Sequence, residues 1–155
     1  MELADILSQN SVFICADANT KADVLHKLAE IAAKTTGTPV DTIYDALTER
    51  ESLGSTGLGN GIAIPHGKLV GLPTVTAAFA LLEKPVDFDA IDDQPVDIVM
   101  LLLAPVGAGA DHLKALSRVA RLLRSEATVD ALRSATDASR IHAILTQPVE
   151  ATRAA

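Results

Sequence analysis

Val96-Asp-Ile-Val-Met-Leu-Leu-Leu-Ala104 is a nearly continuous apolar run with a proline on each side. Such a run predicts a central strand covered on both faces, because a strand with one wet face would alternate apolar and polar residues. A buried helix is the alternative interpretation. The short length of the run and the flanking Pro95 and Pro105 favour the strand.

Outward from this strand, the sequence alternates between strand patterns and helix patterns, which is typical of an α/β domain. Further strands are predicted over residues 12–14, 62–64 and 74–82, and helices over about 20–36, 39–50, 111–125, 127–133 and 137–146. At 155 residues and 48% apolar composition, the chain suits one domain with a full core. We expect that domain to span residues 1–147, with a frayed tail at 148–155.

Composition argues against several classes of partner. A formal net charge of −7 disfavours both nucleic acid and anionic lipid, and the 3% aromatic content leaves little for base stacking. The first residues, Met-Glu-Leu-Ala-Asp, are neither basic nor part of a long apolar stretch, so neither a signal peptide nor a membrane-spanning helix is expected. A single cysteine, Cys15, fits a reducing compartment, and the cytoplasm is the expected location.

The chemistry is predicted to lie in a glycine-dense segment, Ser55-Thr-Gly-Leu-Gly-Asn-Gly-Ile-Ala-Ile-Pro-His-Gly-Lys68. This segment places His66 between a proline and a glycine. Imidazole titrates close to neutrality, so it can act as a nucleophile without a partner base and carry a transferable group. Glycines also allow backbone N–H groups to converge on an anion. The segment therefore indicates a histidine that faces a phosphoryl group, and a plain turn with an unreactive histidine is the alternative.

Two nucleotide-binding motifs do not fit this segment. A Walker loop requires four residues between its first glycine and Gly-Lys, whereas Gly61 and Gly67 have five between them and Leu69 follows Lys68. A dinucleotide fingerprint opens a helix, which Pro65 prevents. No metal site and no cofactor are expected either, because the four histidines and one cysteine lack any ligand spacing.

Residues 53–69 resemble the phosphorylation-site signature of the fructose/mannitol family of phosphotransferase-system IIA domains, and they are most similar to its nitrogen-regulatory members. The resemblance covers nearly the whole chain, with Glu49-Arg50-Glu51 before the signature and Asp111-His112-Leu113 after it. It implies a single α/β domain with a mixed, largely parallel five-stranded sheet flanked by helices. One departure is small: Leu58 stands where isoleucine is frequent in the nitrogen-regulatory members.

The same resemblance implies roles for individual residues. His66 would accept a phosphoryl group from the phosphohistidine of an HPr-like carrier, Arg50 would line the site, and His112 would face the first histidine without being phosphorylated. Arginine also suits phosphate on physical grounds, because its planar fork matches two oxygens. Apart from the resemblance, the charge of Lys68 beside the nucleophile favours phosphate or an acidic partner, although a solvated lysine is the commoner explanation. The residues expected to complete a phosphate cradle are Ser55, Thr56, Gly57, Gly59, Asn60, Gly61 and Gly67.

These features predict a phosphocarrier whose phosphorylated fraction reports an upstream supply. The resemblance implies a donor of the HPr-like type (NPr), fed by enzyme I-Ntr and phosphoenolpyruvate. It implies regulatory targets that include potassium transport regulators or sensor kinases, and hence a role in potassium homeostasis and nitrogen metabolism. A sugar-type IIA protein that passes phosphate to a IIB domain is the alternative. An anion-binding regulatory module that never modifies His66 is an alternative of another class. A hydrolase ranks last, because no carboxylate is well placed to activate water.

Overall fold

The computed structural model describes residues 2–147, so the predicted tail at 148–155 lies outside the described residues. Within that range six strands and five helices follow one another along the chain, after a short 3₁₀ turn at Leu3–Asp5. The strands are β1 (Leu7–Cys15), β2 (Gly57–Gly59), β3 (Ile62–Ala63), β4 (His66–Leu69), β5 (Thr76–Val86) and β6 (Val96–Pro105). The helices are α1 (Lys21–Thr36), α2 (Val40–Ser52), α3 (Gly109–Leu123), α4 (Glu126–Ser134) and α5 (Ala138–Leu145).

Strand β6 is central to a mixed sheet, as its apolar run predicted. The order is β1-β5-β6-β3-β2, and β4 also pairs with β6. The pairs β1–β5, β3–β6 and β4–β6 are parallel, whereas β5–β6 and β2–β3 are antiparallel. Because β3 pairs with Ile98 and Val99 and β4 with Leu102 to Pro105, these two short strands lie end to end along one side of β6. The six strands thus occupy five positions, and the expected largely parallel five-stranded arrangement is confirmed.

Helices cover both faces of the sheet. Side chains of successive strand residues point to opposite faces, so the odd-numbered residues of 99–103 pack with α1 and α2 while the even-numbered residues of 98–102 pack with α3, α4 and α5. All of these side chains are fully buried. Each contributes about 1.5–3 kcal/mol relative to an exposed position, so β6 anchors both layers of the core. Of the helices within residues 2–147, none is both long and apolar enough to cross a membrane.

Local sequence sets the ends of the two helices on the first face. Thr20 caps α1: its Oγ1 accepts the N–H of Asp23 at 3.1 Å, and the Asp23 carboxylate accepts the N–H of Thr20 at 3.2 Å. Gly37 ends α1 in the left-handed conformation, at φ 75°. Pro39 then precedes α2 with a φ already suited to a helix start. The last turn of α2 carries Arg50 to the edge of the sheet.

The structure departs from the predicted strands in three places. Strand β1 begins at Leu7 rather than at residue 12. Strand β5 continues through Pro85 to Val86, because its register against β6 shifts between Leu81 and Val86 and so accommodates a residue without an N–H. The glycine-dense segment was expected to be a loop around one short strand, yet it contains β2, β3 and β4. Such short pieces carry no readable periodicity.

Candidate functional site

Three of the predicted site residues meet in one open pocket of about 440 Å³. Arg50 comes from the last turn of α2, His66 begins β4, and His112 lies near the start of α3. Strand β4 pairs with the carboxyl end of β6, and α3 begins shortly after that end. The central strand therefore brings His66 and His112 together, and the packing of α2 against β4 adds Arg50.

The His66 ring is held at both nitrogens. Its Nδ1 lies 2.9 Å from the carbonyl oxygen of Ile64, and its Nε2 lies 3.3 Å from Nε of Arg50. A carbonyl can only accept and a guanidinium can only donate, so Nδ1 carries the proton and Nε2 accepts. The partners thus select one tautomer, in which the lone pair of Nε2 faces the pocket.

Arg50 is fixed at two of the three nitrogens of its guanidinium. Besides the contact from Nε to His66, its Nη1 donates to the carbonyl oxygen of Gly54 at 2.9 Å. Within residues 2–147, Nη2 makes no hydrogen bond. A guanidinium anchored in this way presents its remaining N–H groups in a fixed plane, which suits the oxygens of a phosphoryl group.

His112 is buried beside His66, with only 7% of its surface exposed. The two ring centroids are 5.6 Å apart and the rings meet edge to face at 69°. Burial lowers the pKa of His112, and the nearby His66 and Lys68 lower it further, so the ring is neutral at neutral pH. Its Nε2 is buried with no hydrogen-bond partner among the described residues. An unpaired buried nitrogen is costly, and its position beside His66 suits contact with a polar ligand atom.

The rest of the pocket is set by the alternation of strand β4. Lys68 shares the outward face of this strand with His66, whereas Gly67 lies on the inward face against α2. A Cβ added at Gly67 would meet the Cβ of Ala46 at 3.4 Å. The lining carries two cations, Arg50 and Lys68, and one carboxylate, Glu49, so its formal charge is positive although the chain as a whole has a net charge of −7. This local charge suits a small anion.

The other predicted cradle residues do not line this pocket. They are Ser55, Thr56, Gly57, Gly59, Asn60 and Gly61. The last three have φ of 97°, 59° and 81° and form the tight turn from β2 to β3 at the sheet edge. There the N–H of Asn60 donates to Asp92 at 3.0 Å, and the carbonyl of Asn60 accepts from Arg133. Of the predicted cradle, only Gly67 lines the pocket with His66.

Two contributors to the site were not predicted from the sequence: the carbonyl groups of Ile64 and Gly54. A main-chain oxygen carries no signal in residue type, so only the path of the backbone reveals it. His26 pairs with Glu30 on the outside of α1, and Nε2 of His142 lies 3.0 Å from the carbonyl of Leu7, both without contact to the pocket. Among residues 2–147, no group of three potential metal ligands comes together.

Comparison with known proteins gives this geometry a family context. Residues 5–147 match the model of the family described as phosphoenolpyruvate-dependent sugar phosphotransferase system, EIIA 2. The chain is 45% identical over 148 residues to a nitrogen regulatory protein of Bradyrhizobium diazoefficiens, covering 96% of this chain and 97% of that protein. It is 39% identical over 110 residues to a fructose-specific EIIA component of Haloferax volcanii, covering 71% of each. The crystal structure of nitrogen regulatory protein IIA-Ntr from Neisseria meningitidis superposes with a TM-score of 0.87 at 32% identity, covering 93% of this chain and 99% of that one.

Proposed function

Because this chain belongs to the EIIA 2 family of the phosphoenolpyruvate-dependent sugar phosphotransferase system, we propose that it is a nitrogen-regulatory phosphocarrier in which His66 accepts a phosphoryl group from an HPr-like carrier. The observation that carries this proposal is the arrangement at His66. Its Nδ1 is tied to a carbonyl, and its Nε2 faces a pocket lined by Arg50, Lys68 and His112. The nucleophile is thus Nε2 rather than Nδ1.

The chemical step is a transfer between two imidazoles. The lone pair of His66 Nε2 attacks the phosphorus of the donor's phosphohistidine, and the donor's N–P bond breaks with its electron pair returning to the donor nitrogen. The proton on Nδ1 stays in its hydrogen bond to Ile64, which stabilises the positive charge that develops on the ring. Both rings keep their protons, so this transfer requires no general base.

The surrounding residues act on the phosphoryl oxygens. Phosphoryl transfer passes through a loose transition state with charge spread over the equatorial oxygens, so catalysis is positioning and electrostatic stabilisation. Arg50 exchanges its hydrogen bond to Nε2 for bonds to these oxygens while Gly54 retains Nη1. His112, kept neutral by burial, donates a hydrogen bond from its otherwise unpaired Nε2 to one of these oxygens. Lys68 adds positive charge from the same strand face.

The proposed donor is an NPr-type carrier fed by enzyme I-Ntr and phosphoenolpyruvate in the cytoplasm. The proposed outputs are regulatory proteins, potassium transport regulators or sensor kinases among them, that distinguish free from phosphorylated His66. Similarity to a nitrogen regulatory protein over 96% of the chain supports this branch. Transfer to a IIB domain is the second candidate, and the similarity to a fructose-specific EIIA component supports it over 71% of the chain.

Intact-mass analysis after incubation with phosphoenolpyruvate, enzyme I and an HPr-like carrier tests the proposal. We expect a single acid-labile phosphoryl adduct that is absent in His66→Ala and retained in His26→Ala, a control that removes a half-exposed histidine outside the pocket. Parallel reactions with carriers of the nitrogen and sugar branches show which branch transfers faster. Absence of an adduct with both carriers active would contradict the proposal and support the anion-binding module.

A further inference from the structure

Glu51 is buried directly behind the pocket, with 8% of its surface exposed. Its Oε1 accepts the N–H of Thr56 at 3.2 Å, and its Oε2 accepts the hydroxyl of Thr56. Lys21 at the start of α1 lies 2.8 Å from Oε1 and 5.0 Å from the centroid of the Phe88 ring. Burying a carboxylate is costly unless it is paired and hydrogen-bonded, and this one has both kinds of partner.

The main chain of Glu51 is linked to Arg50 by two hydrogen bonds. The N–H of Gly54 donates to the carbonyl of Glu51 at 3.1 Å, and the carbonyl of Gly54 accepts Nη1 of Arg50 at 2.9 Å. Thr56, two residues further on, is held by the Glu51 side chain. The turn at residues 51–56 is therefore closed by both the main chain and the side chain of Glu51, which fixes the carbonyl that anchors Arg50.

A second path leads from the same pair to His66. The carbonyl of Thr56 accepts the N–H of Ile64 at 3.1 Å. The carbonyl of Ile64 in turn accepts Nδ1 of His66 at 2.9 Å. Thr56 thus contacts the backbone that selects the tautomer of the nucleophile, while its side chain contacts the helix end that carries the arginine.

We propose that Glu51 and Thr56 form a clamp that sets the position of Arg50 relative to His66, and that both are positioning residues for phosphoryl transfer. The proposal rests on the proposed function of His66. Neither side chain lines the pocket, so the clamp acts through Arg50 and through Ile64 rather than on the phosphoryl group. Misplacement of reacting groups by about 1 Å can lower a rate about 100-fold, so a loosened clamp has a measurable cost in transfer.

Substitutions at Thr56 test the clamp. Thr56→Val keeps the shape and the N–H but removes the hydroxyl, whereas Thr56→Ser keeps the hydroxyl. We expect the transfer rate at saturating phosphorylated carrier to fall roughly 10-fold in Thr56→Val, with KM for the carrier unchanged, and to recover in Thr56→Ser. Glu51→Gln, which leaves Lys21 with only the more distant carboxylate of Asp89 at 3.9 Å, is expected to lower the rate at least as much. Rates are compared per folded molecule.

Ser11→Ala is the matched control. Ser11 is fully buried, and its hydroxyl lies 2.9 Å from Oγ1 of Thr35, in a contact between β1 and α1 that does not connect to the pocket. This variant also loses a buried hydroxyl contact. We expect it to lower stability while the transfer rate of the folded protein stays at the wild-type value.

¹⁵N NMR spectra of the imidazole and guanidinium groups of the unphosphorylated protein test the clamp without a carrier protein. Thr56→Val is expected to shift or broaden the signals of His66 Nδ1 and Arg50 Nε, and Ser11→Ala to leave them in place. A folded Thr56→Val protein with wild-type signals and wild-type rate would overturn the clamp. If the wild-type protein accepts no phosphoryl group, the proposed function fails, and the spectra alone decide whether the clamp positions the two side chains.

Discussion

The two halves of the glycine-dense segment, residues 57–61 and residues 64–68, have different tasks. Residues 57–61 comprise strand β2 and a tight turn with positive φ at residues 59–61, held at the sheet edge by Asp92 and Arg133. Residues 64–68 run beside β6 and carry the histidine, its carbonyl partner and a lysine into the pocket. Both halves contain glycine. Only the half that pairs with the carboxyl end of β6 reaches the pocket, although the other half contains three glycines to its one. Position along the central strand, rather than glycine content, therefore places a residue at the site.

Backbone groups show the same contrast. In the first half, the N–H of Gly57 is taken by Oγ of Ser55 at 3.0 Å and that of Asn60 by Asp92. These amides are already bonded within the protein and do not converge on the pocket. In the second half, the carbonyl of Ile64 bonds to a side chain with chemical function. Substitutions in the two halves should therefore separate stability from transfer.

The largest difference is expected for a pair of arginine-to-lysine changes. Arg50→Lys retains the charge but loses the planar fork, so the rate of phosphoryl transfer should fall roughly 10- to 100-fold. Arg133→Lys makes the same change at the first half, where Arg133 pairs with Asp97 at 2.9 Å and donates to Asn60. Its transfer rate should stay at the wild-type value. Single-turnover transfer from the phosphorylated carrier measures both, and equal losses would show that the two halves are coupled.

A pair of glycine-to-alanine changes compares the free energy of unfolding at Gly61, in the first half, with that at Gly71, a control outside the segment. Gly61 has φ 81°, and a Cβ there would clash with Nη2 of Arg133 and lie 2.9 Å from Oδ1 of Asp97. Gly71 has φ 83° with nothing within 4 Å, so it reports backbone strain alone. Left-handed alanine costs about 1–2 kcal/mol, which is the loss expected for Gly71→Ala, and Gly61→Ala should lose roughly 1 kcal/mol more. Urea unfolding measures both free energies, and equal values would mean that Arg133 moves aside without cost.

The smallest effect is expected for the pH dependence of stability that arises from His112, which lies beside the second half. Because burial lowers the pKa of His112, the unfolded chain binds more protons in the range between that lowered pKa and the ordinary value near 6.5. Stability is therefore fully present above about pH 6.5 and decreases as the pH falls below it. The free energy of unfolding at pH 7.5 and 5.5 should show a smaller decrease in His112→Asn than in the wild type. The half-exposed control His26→Asn should keep the wild-type decrease, and an unchanged decrease in His112→Asn would exclude His112 as its source.

Much of the fold was predictable because its strongest signals are local. The apolar run at residues 96–104 with its two prolines indicated the central strand, and Gly37 marked the end of α1. The short strands β2 and β4 were not predicted, since their pairing partners lie far along the sequence and their own residues show no period. The strand predicted over residues 74–82 continues past Pro85 to Val86, and only the register shift against β6 shows how the sheet tolerates this proline.

The site was predictable to a different extent. His66 stands in a distinctive sequence context, and the resemblance to a known signature pointed to Arg50 and His112 as well. Glycine adopts positive and negative φ about equally readily, so the sequence alone could not distinguish a tight turn at Gly59 and Gly61 from an anion cradle. Nor could it reveal the buried pairing of Glu51, because an acidic residue at a helix end is usually solvated.

The tautomer of His66 depends on a main-chain oxygen. Every residue type carries that oxygen, so no side-chain replacement at position 64 deletes the acceptor, and an alanine scan would pass over it. The arginine on the other nitrogen is a single side chain that one codon change removes. The His66 ring is thus held at Nδ1 by a contact that side-chain substitutions leave intact, and at Nε2 by a contact that one substitution at position 50 removes.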